Sequence, residues 1–410
     1  MSEPAHPSIP WGLVFAMCVA QILAMIGFAS FAALLPTFIS EWRLTNAEAG
    51  WISGLYFAGY MGAVPVLVGI TDRIDPRTIF VSSTALGALA SIGFALFAEG
   101  LWTGAILRAL AGAGLAGTYM PGLKVLSDRI QGPKQSRAIS FYTSSFSIGA
   151  GLSFILAGEL GAWLGWQWTF AAAGAGGLIA FAIVIMATRP FAPHGRDEAA
   201  TPSRLFDFRP VLRNRIAMGY VLAYGAHAWE LLGQRSWIVA FLLFSQSLQP
   251  ESAGWLISAT LVAGLINLFG VPASILGNEL AVRFGRVRLA VTTGLISAAM
   301  GCAIGFSAPL PYIAVVGLCI VYGMATYADS STVTAGAVAA APRGYTGATM
   351  AVHSFIGFGG GFVGSFVFGV ILDHAGGGAD VTAWGLGFMS LGLAAALGPV
   401  ALLMLSRRDR

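Results

Sequence analysis

The sequence predicts an all-α integral membrane protein with twelve transmembrane helices in two pseudo-symmetric six-helix bundles. Of its 410 residues, 57% are apolar and only 10% are charged, whereas average soluble domains carry about 25% charged residues. The apolar residues form twelve long runs, and the basic residues between these runs fall almost entirely on one side. This composition excludes a water-soluble globular fold.

The predicted helices follow from the lengths of the apolar runs, because a helix needs about 20 mostly apolar residues to cross the hydrocarbon core. Each run is nearly continuous in apolar and small residues, which excludes the alternating pattern of a membrane β-barrel. In chain order the predicted spans are 11–39, 48–70, 78–98, 102–123, 138–163, 168–188, 216–244, 252–275, 287–306, 310–340, 346–372 and 382–405.

The basic residues orient these spans. Arg108 and Arg235 lie inside predicted spans, and of the other twenty Lys and Arg residues nineteen fall on one side while Arg43 alone falls on the other. Cytoplasmic loops carry the excess of Lys and Arg, so both termini are predicted to be cytoplasmic. The twenty Arg against two Lys are typical of a GC-rich bacterium, and the inner (plasma) membrane is the expected location.

A duplication divides the chain. The longest connection, 189–215, is polar and basic, and it separates an N-terminal six-helix bundle, 1–188, from a C-terminal one, 216–410. The tripeptide Ala-Gly-Trp occurs at 49–51, where the second span opens, and again at 253–255, where the eighth opens. A duplicated six-helix unit is the architecture of secondary transporters that bind their solute between the repeats.

Three motifs support a family resemblance. Residues of the loop after the second span, of the loop after the eighth span and of the fourth span match signatures of the major facilitator superfamily, which the chain resembles over essentially its whole length. The matching residues are Asp72, Arg73 and Arg77 in the first loop, Arg283, Gly285, Arg286 and Arg288 in the second, and Arg108, Gly112 and Gly114 in the fourth span.

The resemblance implies roles for these loops and for each helix. It implies that Asp72, Arg73 and Arg77, together with Arg283 and Arg286, latch the cytoplasmic face shut in the outward-open state. The alternative is that these residues only hold the loops inside. It also implies that helices one, four, seven and ten line a central cavity, that two, five, eight and eleven flank it, and that three, six, nine and twelve face lipid.

Ionisable side chains inside the spans are the candidate solute and coupling residues, because each costs about 2.5–3.5 kcal/mol on insertion scales. None of them lies on a helix that the resemblance assigns to lipid. They are Arg108 in the fourth span, His227, Glu230 and Arg235 in the seventh, Asp329 in the tenth and His353 in the eleventh.

The seventh span carries the candidates for proton coupling. His227, Glu230 and Gln234 are spaced i, i+3, i+7 and therefore share one helix face. Burial favours the protonated form of a carboxyl group and a neighbouring cation favours the ionised form, so Glu230 is suited to bind and release a proton. The alternative is a pair with Arg235 or His227 that only offsets burial.

Arg108 has two interpretations. It either pairs with Glu159 near the outer end of the fifth span or presents its fork of donors to an anionic substrate. Asp329 and His353 are expected to face each other. The polar run 327–334 either forms part of the solute path or makes interhelical hydrogen bonds.

The sequence predicts a transporter and not an enzyme. It has no nucleophile–base pair or metal cluster at one depth, and no phosphate-binding glycine loop followed by lysine, so we expect no metal, no cofactor and no nucleic-acid partner. Groups able to be positive outnumber acids within the spans, which favours a small organic or inorganic anion moved with protons by a monomer in the bilayer. The alternative is a proton-coupled exporter of amphipathic or cationic compounds.

Overall fold

The computed structural model describes residues 11–130, 133–190, 207–250 and 257–405, apart from a few side chains that include that of Asp72. The regular structure of these residues is helical. The α-helices are α1 (Trp11–Ala24), α2 (Ser30–Ala33), α3 (Leu35–Glu41), α4 (Asn46–Gly69), α5 (Pro76–Phe97), α6 (Leu101–Ala116), α7 (Tyr119–Arg129), α8 (Pro133–Leu164), α9 (Trp166–Ala187), α10 (Arg209–Arg213), α11 (Arg215–Ser247), α12 (Ala259–Phe284), α13 (Arg286–Ile304), α14 (Tyr312–Ala328), α15 (Ser330–Ala339), α16 (Thr346–His374) and α17 (Val381–Leu405).

Within the described residues, nine helical segments are long and apolar enough to cross a membrane. The other three predicted spans also fall on helices. The span 11–39 is divided among α1, α2 and α3, the span 102–123 is divided between α6 and α7, and the span 216–244 lies inside α11. The count of twelve therefore stays a prediction, as does the domain division, since most of the predicted central loop (191–206) lies outside the described residues.

The break between α1 and α2 shapes the centre of the molecule. Backbone carbonyls at a helix end lack helical partners and need others when buried. Here the carbonyl of Ile26 accepts a hydrogen bond from the Ser153 hydroxyl at 2.5 Å, and those of Gly27 and Phe28 accept from the Arg108 guanidinium. The interruption thus draws a buried arginine and a serine toward the start of the chain.

The two halves of the chain, 11–190 and 207–405, approach most closely near the face that the predicted topology places outside. A Cβ atom at Gly50 of α4 would lie 2.5 Å from the Ser365 carbonyl oxygen of α16. A Cβ atom at Gly151 of α8 would lie 2.9 Å from the carbonyl oxygen of Gly264 in α12. Glycine is needed there because the backbones are in contact. Toward the predicted cytoplasmic face, a Cβ atom at Gly62 of α4 would have no heavy atom of the described chain within 4 Å.

A carboxylate joins the halves at the predicted outer face. Asp373, near the end of α16, accepts hydrogen bonds from the backbone N–H of Asn46 at 3.0 Å, the Asn46 side-chain amide at 2.8 Å and the backbone N–H of Ala47 at 2.8 Å. These groups open α4, so the carboxylate caps a helix of the opposite half. We call these contacts the outer latch.

Replacing Asp373 by alanine is expected to shift the protein toward an outward-open conformation. The outer latch must break when the outer face opens, and for a solvent-exposed set of charge-assisted bonds its loss corresponds to about 1–2 kcal/mol. With the native cysteines replaced, electron–electron distances between spin labels at Glu99 and Ala379 should lengthen in Asp373→Ala. Asp380→Ala is the matched control, because Asp380 accepts from Ala383 N–H at the start of α17 in its own half. Equal distance distributions in the two variants would contradict the role of the latch.

Candidate functional site

A pocket lies where the two halves meet. It is lined by the connection between α1 and α2 and by α2, α4, α6 and α8 on one side, and by α11 on the other. It encloses an empty volume of about 260 Å³. Its described lining brings two arginines from different halves to one place and contains no carboxylate. We call it the central pocket, and its lining residues are Phe28, Ala29, Ala32, Ser53, Phe57, Arg108, Phe154, Arg235 and Ser236.

Arg108 is held by backbone and aromatic groups. Its side chain is 4% exposed, and its two terminal nitrogens donate to the carbonyl oxygens of Gly27 at 3.1 Å and Phe28 at 3.3 Å. Its Cζ atom lies 4.0 Å from the centroid of the Tyr56 ring, within cation–π range. Glu159 is exposed. Arg108 therefore contacts backbone carbonyls and an aromatic ring instead of pairing with Glu159, which was one of its two interpretations.

Arg235 is held from the other half. Its Nη2 atom donates to the Tyr327 hydroxyl, which in turn donates to Oδ1 of Asn267 at 2.8 Å. The Cζ atom lies 5.4 Å from the centroid of the Phe28 ring. The guanidinium contacts Tyr327 rather than Glu230, so the alternative Glu230–Arg235 pair is not formed.

The central pocket has unused donors. The Nε atoms of Arg108 and Arg235 and the hydroxyl of Ser53 are buried and have no hydrogen-bond partner among the described residues. Buried polar groups are nearly always hydrogen-bonded in native structures, and buried charges are normally paired. Two desolvated cations with free donors can therefore accept a buried anion.

The acidic residues occupy a second cavity, on another side of α11. Residues 230 and 235 are five apart in the chain, which separates them by about 140° around a helix. This cavity, of about 260 Å³, lies among α11, α13, α15 and α17. We call His227, Glu230 and Asp329, together with Ser297 and Tyr322, the acidic cluster.

Distances within the acidic cluster define three contacts. The Nδ1 atom of His227 lies 2.9 Å from Oδ1 of Asp329. Glu230 is 1% exposed and accepts hydrogen bonds from the Ser297 hydroxyl at 2.7 Å and the Tyr322 hydroxyl at 2.9 Å. The alternative Glu230–His227 pair is thus replaced by hydroxyl contacts to Glu230.

Two expectations about the spans need correction, and the role of Gln234 stays a prediction. Asp329 faces His227 and not His353, which instead stacks on the Tyr224 ring at 3.8 Å between centroids. His227 and Glu230 line one cavity, and Gln234 is buried on the same helix without being among the described lining residues of either cavity. Residues of α13 and α17, in the ninth and twelfth predicted spans, also line the acid-containing cavity. The rotation of each helix decides these placements, and spacing along the chain does not fix it.

The tenth predicted span is interrupted at Asp329. α14 ends at Ala328 and α15 begins at Ser330, so Asp329 occupies the break. Within the polar run that follows, the Ser331 hydroxyl donates to the carbonyl of Ser274 in α12 at 2.9 Å. This contact is an interhelical hydrogen bond, one of the two roles that the sequence leaves open for residues 327–334. Tyr327, by contrast, accepts a hydrogen bond from Arg235, which lines the central pocket.

Several residues of both cavities were not singled out from the sequence. Phe28 and Ser53 line the central pocket, Ser297 and Tyr322 hold Glu230, and Asn267 holds Tyr327. The polar members gave a weak signal, because serine and asparagine inside apolar spans favour interhelical hydrogen bonds. Phe28 gave no sequence signal, because phenylalanine is common in transmembrane helices.

The predicted cytoplasmic gate has only part of its geometry described. Arg77 donates from Nε to the hydroxyl and carbonyl oxygens of Thr188 at 2.8 and 3.1 Å, so it binds the C-terminal end of α9 in its own half. Arg73, Arg283 and Arg286 are exposed. The Asp72 side chain lies outside what the structure describes, and a latch between the loops stays a prediction.

Comparison with known proteins decides the family. The model of the Major Facilitator Superfamily matches residues 17–365, most of the chain. The chain belongs to this superfamily. The predicted family is therefore confirmed, and membership supports the predicted transporter class.

Individual relatives of the superfamily are distant. Human protein spinster homolog 1 is 24% identical over 70% of the chain and 58% of its own length. The niacin transporter NiaP of Acinetobacter baylyi is 26% identical over 37% of the chain and 35% of its own length. The chain thus spans less than two thirds of these curated relatives. A crystal structure of a bacterial homolog to the human lysosomal transporter Spinster, inward-facing and unoccupied, matches with a TM-score of 0.74 and 17% identity over 97% of this chain and 96% of that one.

Proposed function

We propose that this protein is a secondary active transporter that moves a small organic or inorganic anion with protons by alternating access. The observation that carries the proposal is the central pocket, where Arg108 and Arg235 from opposite halves line one space whose described lining has no carboxylate. A guanidinium fork matches the geometry of carboxylates and similar oxyanions. A site between the repeats is accessible from each side in turn as the halves rock.

The separation of the acids argues against a cationic substrate. The exporter alternative relied on buried acids and aromatic rings in one cavity. Glu230 and Asp329 line the other cavity, while the central pocket holds the arginines. A cation in the central pocket would meet two like charges, which is costly in a low-dielectric site.

The lining of the pocket also indicates the character of the solute. Phe28, Phe57 and Phe154 add apolar surface to the same lining as the two arginines. A small organic acid with an apolar body fits this combination, and the distant relative named a niacin transporter is consistent with it.

Proton coupling is assigned to the acidic cluster. A buried ionisable group on a solute pathway is suited to carry a proton between the two sides. Glu230 was the candidate favoured by the sequence. The geometry favours Asp329, because it lies at the break between α14 and α15 and contacts His227, whereas Glu230 is enclosed by two hydroxyl donors.

A thermal-shift screen of the purified protein in detergent tests the proposed function. The probes are benzoate, nicotinate, glucuronate and phosphate, with dodecyltrimethylammonium as the cationic amphiphile, at about pH 5.5 and about pH 7.5, on either side of the ordinary histidine range. A ligand that binds the native state raises Tm by mass action. We expect stabilisation by one anion class, larger at the lower pH, because anion and proton bind together. Stabilisation by the cationic amphiphile alone would favour the exporter.

A further inference from the structure

We infer that α11 is held to the α14–α15 break by two contacts, one released by the anion and the other by the proton, and that the protein leaves this conformation, in which the outer latch is closed, only when both are released. The opposite conformation is not held by these contacts, so the empty protein returns from it. This inference rests on the proposed function and gives it a mechanism of coupling. The first contact joins Arg235 to the Tyr327 hydroxyl. The second joins His227 to Asp329 at 2.9 Å. Tyr327 and Asp329 flank Ala328, the last residue of α14, so both contacts reach the same point of the chain.

The break itself is attached to α12 by close packing. A Cβ atom at Gly270 would lie 2.6 Å from Cδ2 of the Tyr327 ring. A Cβ atom at Gly277 would lie 2.8 Å from the Ala328 carbonyl carbon. Asn267 of the same helix accepts the Tyr327 hydrogen bond. Because ring, backbone and hydroxyl are all fixed against α12, the break and α12 behave as one body.

The anion releases the first contact. Arg235 lines the central pocket while its guanidinium donates to a neutral hydroxyl. An oxyanion adds a charge–charge attraction that a neutral hydroxyl lacks, and it can take the free Nε of Arg235 together with Nη2 in a two-pronged contact. An anion in the pocket therefore displaces the Tyr327 hydroxyl from the guanidinium. Tyr327 keeps its bond to Asn267 and is not left unsatisfied.

The proton releases the second contact. A proton from solvent bonds to a carboxylate oxygen of Asp329 and makes it a neutral carboxyl group, which is restored when the proton leaves on the other side. The contact to His227 then loses its ionic character. The charged and titratable groups around this pair are Glu230 and Arg235 on α11 and His353 on α16, which reaches it through the Tyr224 ring, 5.8 Å from His227. The described lining from α13 and α17 adds no ionisable side chain.

Coupling follows from the arrangement in series. Anion alone leaves the His227–Asp329 contact, and proton alone leaves the Arg235–Tyr327 contact, so neither ligand crosses without the other. Tyr327 is in this view a positioning residue that prevents movement with a proton alone. Removing its hydroxyl leaves only the contact that the proton releases.

The test is proton leakage without solute. Purified protein is reconstituted in liposomes that contain a pH-sensitive dye, and a pH gradient is imposed with no transported anion present. Wild type should acidify slowly. Tyr327→Phe should acidify several-fold faster, and Tyr327→Phe combined with Asp329→Asn should return to the wild-type rate because the proton site is removed. The matched control is Tyr220→Phe, whose ring packs against Gly336 of α15.

The outcomes separate this inference from the proposed function. If Tyr327→Phe acidifies at the wild-type rate, or if Asp329→Asn fails to suppress its leak, the coupling role of Tyr327 is refuted, even when the anion screen succeeds. If no anion stabilises wild type, the proposed function fails whatever the leak. Should Tyr327→Phe not reconstitute, Asn267→Leu, which removes the partner that fixes the hydroxyl, should leak in the same direction, and a wild-type rate there would equally overturn the inference.

Discussion

Replacing Arg235 by lysine is expected to weaken binding of the stabilising anion by about 10–100-fold. Lysine keeps the charge but replaces a planar fork with a point charge. Losing one hydrogen bond between charged groups costs about 1.5–3 kcal/mol, and each 1.4 kcal/mol is a factor of ten in affinity. Calorimetric titration of the anion identified in the thermal-shift screen measures the change in Kd.

Two further lysine variants give this experiment its controls. Arg108→Lys should weaken anion binding similarly and also lower Tm, because a single ammonium group does not reproduce the two bonds to the carbonyls of Gly27 and Phe28. Arg213→Lys, at an exposed position of α10, should leave Kd unchanged. An unchanged Kd in both Arg108→Lys and Arg235→Lys would return the two arginines to a purely structural role.

Replacing Asp329 by asparagine is expected to abolish proton-driven accumulation of the anion while leaving exchange of anion for anion. Asparagine has nearly the same shape as the protonated carboxyl group but does not titrate, so the contact with His227 stays in its released form. Exchange needs only that the loaded carrier turn over in both directions, which the released form permits. Proteoliposomes loaded with labelled anion measure exchange, and an imposed pH gradient measures accumulation.

Glu230→Gln decides between the two carboxyl groups. If Asp329 carries the proton, Glu230→Gln should still accumulate anion, at a lower rate because an amide replaces a carboxylate bound by two hydroxyl donors. The reverse result, in which Glu230→Gln only exchanges and Asp329→Asn accumulates, would assign the proton to Glu230, the residue that the sequence favours. Either result is read against the same exchange assay, so a folding defect is recognised by loss of both activities.

Much of this protein could be predicted from composition and order along the chain. Apolar runs, their lengths and the distribution of arginine depend only on local sequence, because each span inserts according to its own hydropathy and the charges of its flanks. The signature around Arg108 and the loop residues Asp72, Arg73 and Arg77 indicated the superfamily for the same reason. The buried ionisable residues were found because any charge inside a span is costly.

The placement of those residues depended on tertiary structure. Arg108 and Arg235 are far apart in the chain and line one pocket only because α11 packs against α2 of the other half. Glu230, on the same helix as Arg235, belongs to another cavity. The interruption at Asp329 and the contact of Tyr327 with Arg235 were equally invisible in the spacing of residues. Which side chains meet depends on the rotation of each helix and on its packing against segments distant in the chain. Both are properties of the complete fold, so residue spacing within one helix does not reveal them.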